Sequence, residues 1–372
     1  ALLVGRANEE EAAWRADAWC APRLRPSSPG SCQSTALARG SHTITGGLGG
    51  LGLRVAAVLV QSGAASVLLA SRGGRVSRDG QGLEARLRSL GVAADVAACD
   101  GADASDALAL GRMGVPVGVL HAAGTGDKGL VVHVVAQRLR WVHAPKAGGG
   151  WRMACVLGAA AAEAWVVFSS AGAAVGNVGQ ASYAAANAWL DAHARSRRSG
   201  GVAACGLQWP LVGGAGMGAA AFEGAGERQT AAAGLAGISL EAYAGCVCGQ
   251  LAAASVGASV SVRMVHRSDA DAVVRDLADA SQARFGELRG VVALTSGERP
   301  AAAAGGDAPG EWLAALAPAQ RGRRVESLVA GAVRELTGSG GGVVLGETPL
   351  MEAGLDSLGA TELSSRLRSM TG

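Results

Sequence analysis

Short apolar runs that end in glycine or polar residues recur along the first two-thirds of the chain. Between them lie longer stretches in which apolar residues return every three to four positions. The short runs predict buried strands, and the longer stretches predict helices that pack on them. The predicted strands, some written with the loop that follows, are residues 42–45, 66–70, 96–100, 117–124, 164–168, 201–209 and 258–265. Strands that alternate with helices favour parallel pairing through right-handed crossovers, so the pattern predicts an α/β fold with a parallel sheet.

The composition is that of a folded α/β protein rather than that of a disordered chain. Hydrophobic residues make up 49% of the 372 residues, and 58 residues are glycine. This length leaves room for two or three domains. The net charge of +3 is too small to indicate nucleic-acid binding.

The seven cysteines form no CxxC pair, and no histidine cluster at zinc spacing accompanies them. We therefore expect buried thiols in a reducing compartment and no metal site. No charged and then apolar leader follows Ala1, so we expect a cytoplasmic location, or a plastid one if the chain is an excerpt of a longer targeted polypeptide. Residues 156–175 are apolar enough to raise the question of a membrane span, but Glu163 and Ser169 interrupt them and a buried strand is favoured.

The stretch 168–191 places three polar side chains at the end of one predicted strand and on the helix after it. Ser170 stands at the carboxyl end of the apolar run 164–168, where open α/β sheets keep their reactive groups. Tyr183 and Asn187 follow a glycine-rich loop, and because they are four positions apart they share one face of the predicted helix. A phenol, a hydroxyl and an amide at one strand end indicate proton donation to a carbonyl.

This stretch resembles the ketoreductase domain of modular type I polyketide synthases, a branch of the short-chain dehydrogenase/reductase family. In that branch a serine precedes the catalytic tyrosine by thirteen positions, as Ser170 precedes Tyr183, and an asparagine follows it four positions later, as Asn187 does. The lysine of that branch lies upstream on another helix, where this chain has Lys146, whereas stand-alone relatives carry Tyr-x-x-x-Lys. The resemblance implies a Rossmann-type doubly wound parallel sheet.

The resemblance also implies a role for each of the four catalytic residues. Tyr183 would donate the proton, although an unperturbed phenol titrates near about 10 and needs help at neutral pH. Lys146 would favour the phenolate by its charge and feed a proton relay. Ser170 would hold the carbonyl oxygen, and Asn187 would position the lysine or a water molecule.

A glycine-rich turn joins the first strand of the predicted sheet to an apolar helix and matches the family's Thr-Gly-x-x-x-Gly-x-Gly. Such a turn lets the backbone approach a pyrophosphate, which the free N–H groups of the helix N-terminus bind. The cofactor contacts predicted from this turn are Thr45, Gly46, Gly47, Leu48, Gly50 and Gly52.

Residues after three further strands complete the predicted cofactor site. Ser71 and Arg72 follow the second strand of the sheet, where an acidic residue favours NAD and an arginine accommodates the 2′-phosphate of NADP. Arg72 therefore favours NADPH. The resemblance adds Asp100, which would contact the adenine. It also adds the family's His-Ala-Ala-Gly segment, in the form of His121, Ala122 and Gly124.

The chain departs from the family at three places. Many members that set one hydroxyl configuration carry Leu-Asp-Asp where this chain has Gly126, Asp127 and Lys128, and members that set the other carry tryptophan where it has Val175. We therefore predict neither configuration. The family usually has glycine where this chain has Pro210, and we expect the proline to stiffen the loop that closes over nicotinamide and substrate.

The segments before and after the predicted sheet domain indicate that the chain has four parts. Residues 1–40 resemble the end of the non-catalytic structural half of these ketoreductases, most of which is expected upstream; a loose N-terminal arm is the alternative. Residues 41–294 form the predicted NADPH-binding catalytic domain. Residues 295–318 are a linker by composition, and residues 319–372 resemble an acyl carrier protein.

The carrier resemblance rests on a helical stripe and a short motif. Apolar residues recur at helical spacing from 325 to 336, and Asp356, Ser357 and Leu358 follow a glycine-rich loop. In carrier proteins this serine opens the second helix and bears 4′-phosphopantetheine, so Ser357 is the predicted attachment site; a mere helix cap is the alternative. The chain stops before the family's last helices, so we expect a small all-α carrier domain that is incomplete.

Together these features predict NADPH-dependent reduction of a β-ketoacyl thioester to a β-hydroxyacyl thioester within a polyketide synthase. The expected partners are the carrier-bound substrate, other domains of the same synthase and a phosphopantetheinyl transferase, with neither nucleic acid nor membrane among them. A catalytically inactive scaffold that packs and positions the carrier is the alternative, because the loop at Gly126 is altered. An independent alcohol dehydrogenase is disfavoured by Asn187 and by the carrier segment.

Overall fold

The computed structural model describes the sheet, the helices packed on it and short segments elsewhere in the chain. The described residues are 13–15, 18–21, 23–25, 40–76, 82–127, 129, 131–157, 163–176, 179–217, 237–255, 262–265, 274, 282–289, 318–337 and 363. The chain divides into two compact units, Ala1–Arg289 and Gly290–Gly372.

The strands of the first unit lie close to the apolar runs of the sequence. They are β1 (Ala13–Arg15), β2 (Ala18–Cys20), β3 (Ser41–Thr45), β4 (Ser66–Ser71), β5 (Ala94–Ala98), β6 (Gly118–His121), β7 (Ala164–Ser170), β8 (Ala204–Trp209) and β9 (Val262–Met264).

The helices alternate with these strands from β3 onward. They are α1 (Gly50–Gln61), α2 (Leu83–Ser89), α3 (Ala104–Gly111), α4 (Ala136–His143), α5 (Gly149–Leu157), α6 (Gly172–Val175), α7 (Ala181–Ser199), α8 (Leu240–Ser255) and, in the second unit, α9 (Pro318–Thr337). Shorter 3₁₀ turns span Gly91–Ala93, Val131–His133 and Ala283–Phe285, and a π-helical turn, Ala144–Gly148, joins α4 to α5.

Within the described residues, seven strands form one sheet in the order β5-β4-β3-β6-β7-β8-β9. Every neighbouring pair is parallel. The order reverses at β3, since β4 and β5 extend the sheet on one side and β6 to β9 extend it on the other. The predicted doubly wound parallel sheet is therefore confirmed. Its switch point lies between β3 and β6, where such sheets leave a crevice at the carboxyl ends of the strands.

Two helical layers cover the sheet, and the alternation of side chains along β7 shows how. Successive side chains of a strand point to opposite faces. Val166 and Phe168 pack with apolar residues of α1, α2 and α8. Trp165 and Val167 pack with those of α3, α5 and α7. Because both faces of β7 are buried, its sequence is a continuous apolar run.

An aromatic cluster ties α8 to the sheet and to α1. The ring of Tyr243 on α8 lies 4.6 Å from that of Trp209 and 6.1 Å from that of Phe168, measured between centroids. The Tyr243 hydroxyl donates a hydrogen bond of 3.0 Å to the Leu51 carbonyl oxygen in the first turn of α1. The cluster therefore fixes the end of α1 that faces the switch point.

The first forty residues show no clear period, yet part of this segment is ordered against the sheet domain. Strands β1 and β2 pair antiparallel. Further along, the Leu24 amide donates a hydrogen bond to the Arg284 carbonyl. The Leu24 side chain packs with Phe285 and Leu288, which in turn pack against Ala171 in the loop after β7. The absence of a hydrophobic period is explained by the short length of these strands.

The second unit is described for α9 and for one further residue. Helix α9 begins at Pro318, the last residue of the predicted linker, and spans the predicted apolar stripe. Ala332 and Val333 on this helix are buried, as is Leu363. The rest of the predicted linker and Ser357 lie outside the described residues. Among the helices that the structure describes, none has both the length and the apolar character needed to cross a membrane.

We predict different losses of stability for two substitutions at Tyr243. Replacement by alanine removes a fully buried ring and should lower the free energy of unfolding by about 3–5 kcal/mol, because a large cavity remains. Replacement by phenylalanine keeps the ring, loses the hydrogen bond to Leu51, and should cost about 1 kcal/mol. Denaturant unfolding followed by circular dichroism measures both values. Equal losses in the two variants would contradict the packing role of the ring.

Candidate active site

The loop between β7 and α7 brings Tyr183 back towards Ser170. Its glycines Gly176 and Gly179 have φ values of 78° and 72°, in the region that other residues rarely adopt. Tyr183 lies in the first turn of α7, and its side chain hydrogen-bonds with that of Ser170. The Ser170 hydroxyl also accepts a hydrogen bond of 3.2 Å from the amide of Gly172. The phenol and the hydroxyl therefore lie together at the carboxyl end of β7.

Burial keeps the phenol of Tyr183 protonated. It raises the pKa of Tyr183 above the ordinary value of 10, and hydrogen bonding with the side chains of Asn187 and Ser170 acts in the opposite direction. Burial outweighs these hydrogen bonds, so the phenol is protonated at neutral pH. The expected effect of the Lys146 charge on a phenolate stays a prediction.

Lys146 lies on the π-helical turn between α4 and α5. The neighbouring Pro145 has no N–H to donate to the helix ladder, which accounts for the local widening of the helix. The Lys146 ammonium donates a hydrogen bond of 3.1 Å to the Phe168 carbonyl and lies 5.2 Å from the centroid of the Tyr183 ring. Burial lowers the pKa of Lys146 to about 8, and the charge of Asp191 raises it.

Asn187 is fully buried on the same face of α7 as Tyr183. Its side-chain nitrogen donates a hydrogen bond of 2.8 Å to the Tyr183 carbonyl, one turn earlier. Its side-chain oxygen has no hydrogen-bond partner among the described residues. This oxygen is an acceptor that a lysine or a water molecule can use, in agreement with the role that the resemblance implies.

His121 connects the glycine-rich turn to the lysine. Its Nε2 atom lies 3.0 Å from the Lys146 carbonyl oxygen, and its Nδ1 atom lies 2.6 Å from the Thr45 hydroxyl. A carbonyl only accepts, so Nε2 carries the proton and Nδ1 accepts from Thr45. Burial lowers the pKa of His121 to about 4, so the ring is neutral. Both ring nitrogens are engaged within the protein, which leaves the backbone of His121 for any contact with a cofactor.

The glycine-rich turn is so close to its neighbours that side chains would not fit. A Cβ atom at Gly46, where φ is 68°, would lie 2.7 Å from the backbone nitrogen of Ala123 after β6. One at Gly52 would lie 2.5 Å from the Gly46 carbonyl oxygen. Helix α1 begins after Gly49 and has no side-chain cap, so its N–H groups are available to an anion.

A second segment lies against the start of α1. A Cβ atom at Gly50 would lie 2.4 Å from the Gly216 nitrogen and 2.7 Å from the Ala215 side chain. Val212 pairs with Ile238 in an isolated parallel bridge, which secures the segment that follows Pro210. These residues belong to the predicted loop that closes over the cofactor, and residues 218–236 of that region lie outside the described residues.

The remaining predicted cofactor residues line the carboxyl ends of β4 to β6. The Ser71 hydroxyl is buried and has no hydrogen-bond partner among the described residues, and Arg72 beside it is exposed. The Asp100 carboxylate accepts a hydrogen bond of 3.0 Å from the Ala102 amide. After β6, a Cβ atom at Gly124 would lie 2.9 Å from the Lys146 side chain. The cofactor residues and the lysine thus share one crevice.

The residues present fit a dinucleotide. A glycine turn without room for side chains and an uncapped helix N-terminus suit a pyrophosphate. The unpartnered Ser71 hydroxyl and the exposed Arg72 lie at the end of β4. Dinucleotide sites bind a ribose after this strand, the second of the sheet in sequence. All sixteen predicted catalytic and cofactor residues lie at the carboxyl edge of the sheet or on the turns next to it; Ser357 lies outside the described residues.

The loop that departs from the family pattern is held at both ends. Asp127 is buried and forms an ion pair with Arg138 on α4. The Gly129 amide donates a hydrogen bond of 2.7 Å to the Gly179 carbonyl in the loop before Tyr183. The altered sequence therefore occupies a defined position beside the catalytic residues, and Lys128 lies outside the described residues.

The sequence analysis missed two polar residues of this region. Asp191 is 2% exposed and accepts a hydrogen bond of 2.7 Å from the side chain of Gln208 on β8. The signal was present, because Asp191 follows Asn187 by four positions, as Asn187 follows Tyr183. An aspartate that continues the spacing of Tyr183 and Asn187 is a signal that helical periodicity alone can find.

Comparison with known proteins agrees with this geometry. The family model described as the KR domain matches residues 40–214, which include the glycine turn and all four catalytic candidates. This part of the chain is therefore similar to ketoreductase domains. The resemblance to polyketide synthase ketoreductases is therefore confirmed for this part of the chain, whereas the carrier part remains a prediction.

Similar sequences occur in much longer proteins. The chain is 37% identical over 341 residues to the spectinabilin polyketide synthase system protein NorB of Streptomyces orinoci, an alignment that covers 90% of this chain and 15% of that protein. It is 35% identical over 348 residues to the polyketide synthase GfsA of Streptomyces halstedii, covering 90% of this chain and 4% of that one. The chain thus spans a small part of the length of these relatives.

Solved structures also resemble the ketoreductase domain. An A1-type ketoreductase aligns with a TM-score of 0.65 and 28% identity, covering 79% of this chain and 62% of that one. The first ketoreductase of the tylosin PKS aligns with a TM-score of 0.59 and 29% identity, covering 78% of this chain and 63% of that one. These similarities support the parallel-sheet fold and an oxidoreductase assignment.

Proposed function

We propose that the chain, as part of a polyketide synthase, reduces a β-ketoacyl thioester to a β-hydroxyacyl thioester with NADPH as the reductant. The observation that carries the proposal is the convergence of Tyr183, Ser170 and Lys146 beside a glycine turn suited to a dinucleotide. The similarity to polyketide synthases supports the substrate class. The same similarity supports other synthase domains as partners.

Two of the four proposed catalytic residues, Ser170 and Tyr183, act on the substrate carbonyl directly. Bound NADPH supplies the hydride. The Ser170 hydroxyl donates a hydrogen bond to the carbonyl oxygen and holds it next to the phenol, which stays protonated because it is buried. Tyr183 then passes its proton to that oxygen.

Lys146 and Asn187 restore the phenol after proton transfer. The ammonium beside the Tyr183 ring stabilises the phenolate that remains, since the charges are opposite and the surroundings are buried. Its hydrogen bond to the Phe168 carbonyl holds it there. The unpartnered side-chain oxygen of Asn187 holds a water molecule through which the proton returns.

Replacement of Tyr183 by phenylalanine should nearly abolish reduction. We expect a rate at least about a hundredfold lower with NADPH binding retained, because only the proton donor is removed. The reaction is followed as NADPH consumption with a diketide thioester. Tyr243→Phe is a matched control, since it makes the same change at the other tyrosine of the chain, which packs on Phe168 and Trp209 and is not one of the proposed catalytic residues. It should keep most of the rate.

Two outcomes would contradict this assignment. A Tyr183→Phe variant that retains most of the rate would show that another group donates the proton. A folded chain that binds NADPH and reduces no β-ketoacyl thioester would favour the alternative, a catalytically inactive scaffold that positions the carrier.

Arg72 should set the preference for NADPH over NADH. We expect at least about a tenfold preference, on the order of 1.4 kcal/mol, because the guanidinium pairs with the 2′-phosphate. Arg72→Ala should remove most of it, whereas Arg75→Ala, which changes another exposed arginine nearby, should leave it in place. Titration with each cofactor, followed by fluorescence, measures the ratio. Equal binding of both cofactors by the unaltered chain would contradict the prediction.

We further propose that Ser357 carries 4′-phosphopantetheine, which would hold the substrate as a thioester. The Asp-Ser-Leu motif after a glycine-rich loop and the amphipathic helix α9 support this proposal. Incubation of a chain extended past residue 372 with coenzyme A and a promiscuous phosphopantetheinyl transferase should add one pantetheine group, measured by intact mass, whereas residues 1–372 alone should be modified weakly or not at all. In the extended chain the group should be absent from Ser357→Ala and present in Ser364→Ala. An adduct that persists in Ser357→Ala, or none on the extended chain, would contradict the proposal.

A further inference from the structure

Asp191 occupies the third position of a polar stripe on α7. Tyr183, Asn187 and Asp191 follow one another at intervals of four residues, so they share the helix face turned towards β7 and β8. The first two residues of the stripe belong to the proposed active site. Asp191 is buried to 2% exposure and lies one helical turn further from the crevice.

The surroundings of Asp191 fit a carboxylate closely. One oxygen accepts a hydrogen bond of 2.7 Å from the Gln208 side chain. The Ser169 hydroxyl donates a hydrogen bond of 3.2 Å to the Asn187 carbonyl oxygen, and Gln208 and Ser169 are paired neighbours on β8 and β7. A Cβ atom at Gly206 would lie 2.8 Å from the other carboxylate oxygen, which has no hydrogen-bond partner among the described residues. Gly206 therefore makes room for the carboxylate, and the hydrogen bond from Gln208 orients it.

A charge buried at this depth needs a partner of opposite sign. Lys146 is the other buried charge of the region, at 3% exposure, and its ammonium is held on the carbonyl of Phe168, next to Ser169 on β7. The interaction between the two is reciprocal. Burial lowers the pKa of Lys146 and the charge of Asp191 raises it, whereas burial raises the pKa of Asp191 and the charge of Lys146 lowers it.

We propose that Asp191 is a positioning residue of the reductase site, whose negative charge keeps Lys146 protonated beside Tyr183. The proposal deepens the proposed function, on which its consequence for the reaction rests. Asp191 contacts neither substrate nor cofactor in this scheme and acts only through the lysine. Gln208 in turn orients the carboxylate.

Several other titratable groups lie around Lys146 and Asp191. Among the described residues, Asp191 is the one negatively charged group that acts on Lys146. His121 on β6 is neutral, with its pKa lowered to about 4 by burial. The Cys205 thiol on β8 is neutral, because burial raises its pKa to about 12. On α7, Tyr183 is a neutral phenol, and the positive charge of the exposed Arg195 lowers the pKa of Asp191.

The chain offers a direct measurement of this interaction, because Lys128 and Lys146 are its only lysines. The full chain labelled with ¹³C at the lysine ε-carbon gives two side-chain resonances, which Lys128→Arg assigns. We expect Lys146 to titrate at about 8 in the unaltered chain. In Asp191→Asn, which keeps the shape and an acceptor for Gln208, the midpoint should fall by at least about one pH unit.

Asp127→Asn is the matched control, since it makes the same change at another buried aspartate, whose ion-pair partner is Arg138. The midpoint of Lys146 should move much less in this variant than in Asp191→Asn. An unchanged midpoint in Asp191→Asn, or equal shifts in both variants, would overturn the proposal. This measurement needs no turnover, so it is independent of whether the chain is a reductase.

Stability provides a second measurement, which applies even if Asp191→Asn does not fold. That variant leaves the buried ammonium of Lys146 without an opposite charge nearby, whereas Lys146→Met with Asp191→Asn removes both charges. We expect the double variant to be more stable than Asp191→Asn alone. A double variant that is equally unstable or less stable would overturn the pairing.

The rate of reduction reports the consequence for the site. Protonated Lys146 is lost as the pH rises through its pKa, so activity should fall near about 8 in the unaltered chain. In Asp191→Asn the fall should begin at a lower pH, with kcat near pH 6 little changed. A uniform loss at every pH would indicate a merely structural role and would overturn the proposal.

Discussion

Burial of the central strands on both faces decides where polar groups can be placed in this molecule. A parallel sheet covered by two helical layers has an apolar interior, in which an unpaired polar side chain is costly. The carboxyl edge is the place where strands end and loops diverge, so polar groups and backbone N–H groups gather there. Ser170, Tyr183 and the glycine turn all lie at this edge. The crevice and its chemistry therefore follow from the burial of the sheet.

Lys146 is the point at which the two halves of the crevice are joined. Its carbonyl accepts from His121, whose ring also accepts from Thr45 in the glycine turn, and its ammonium donates to the carbonyl of Phe168. One residue thus has its backbone fixed from the nucleotide side and its charge fixed from the β7 side. A neutral His121 suits this link, because an imidazolium would repel the ammonium nearby.

Local signals predicted the sheet and most of the site, because both depend on residues near one another in sequence. The apolar run of β7, the spacing of Ser170 and Tyr183 and the glycine turn all have short-range signatures. Contacts between distant elements have none. The pairing of Gln208 with Asp191, the link from Thr45 to His121 and the packing of Leu24 on the segment near Phe285 depend on how the elements meet.

The π-helical turn that carries Lys146 has a consequence for how this segment can vary in length. A π turn holds one residue more than the α-helical turn it replaces, and α4 and α5 continue on either side of it. Loss of one residue between them would restore a regular helix. It would also rotate one flank by about 100° relative to the other, since an α-helix has about 3.6 residues per turn. Lys146 and the glycines that pack on His121, Gly149 and Gly150, would then face different directions. We therefore expect this segment to accept substitutions but not the loss of a residue, whereas exposed loops generally tolerate insertions and deletions.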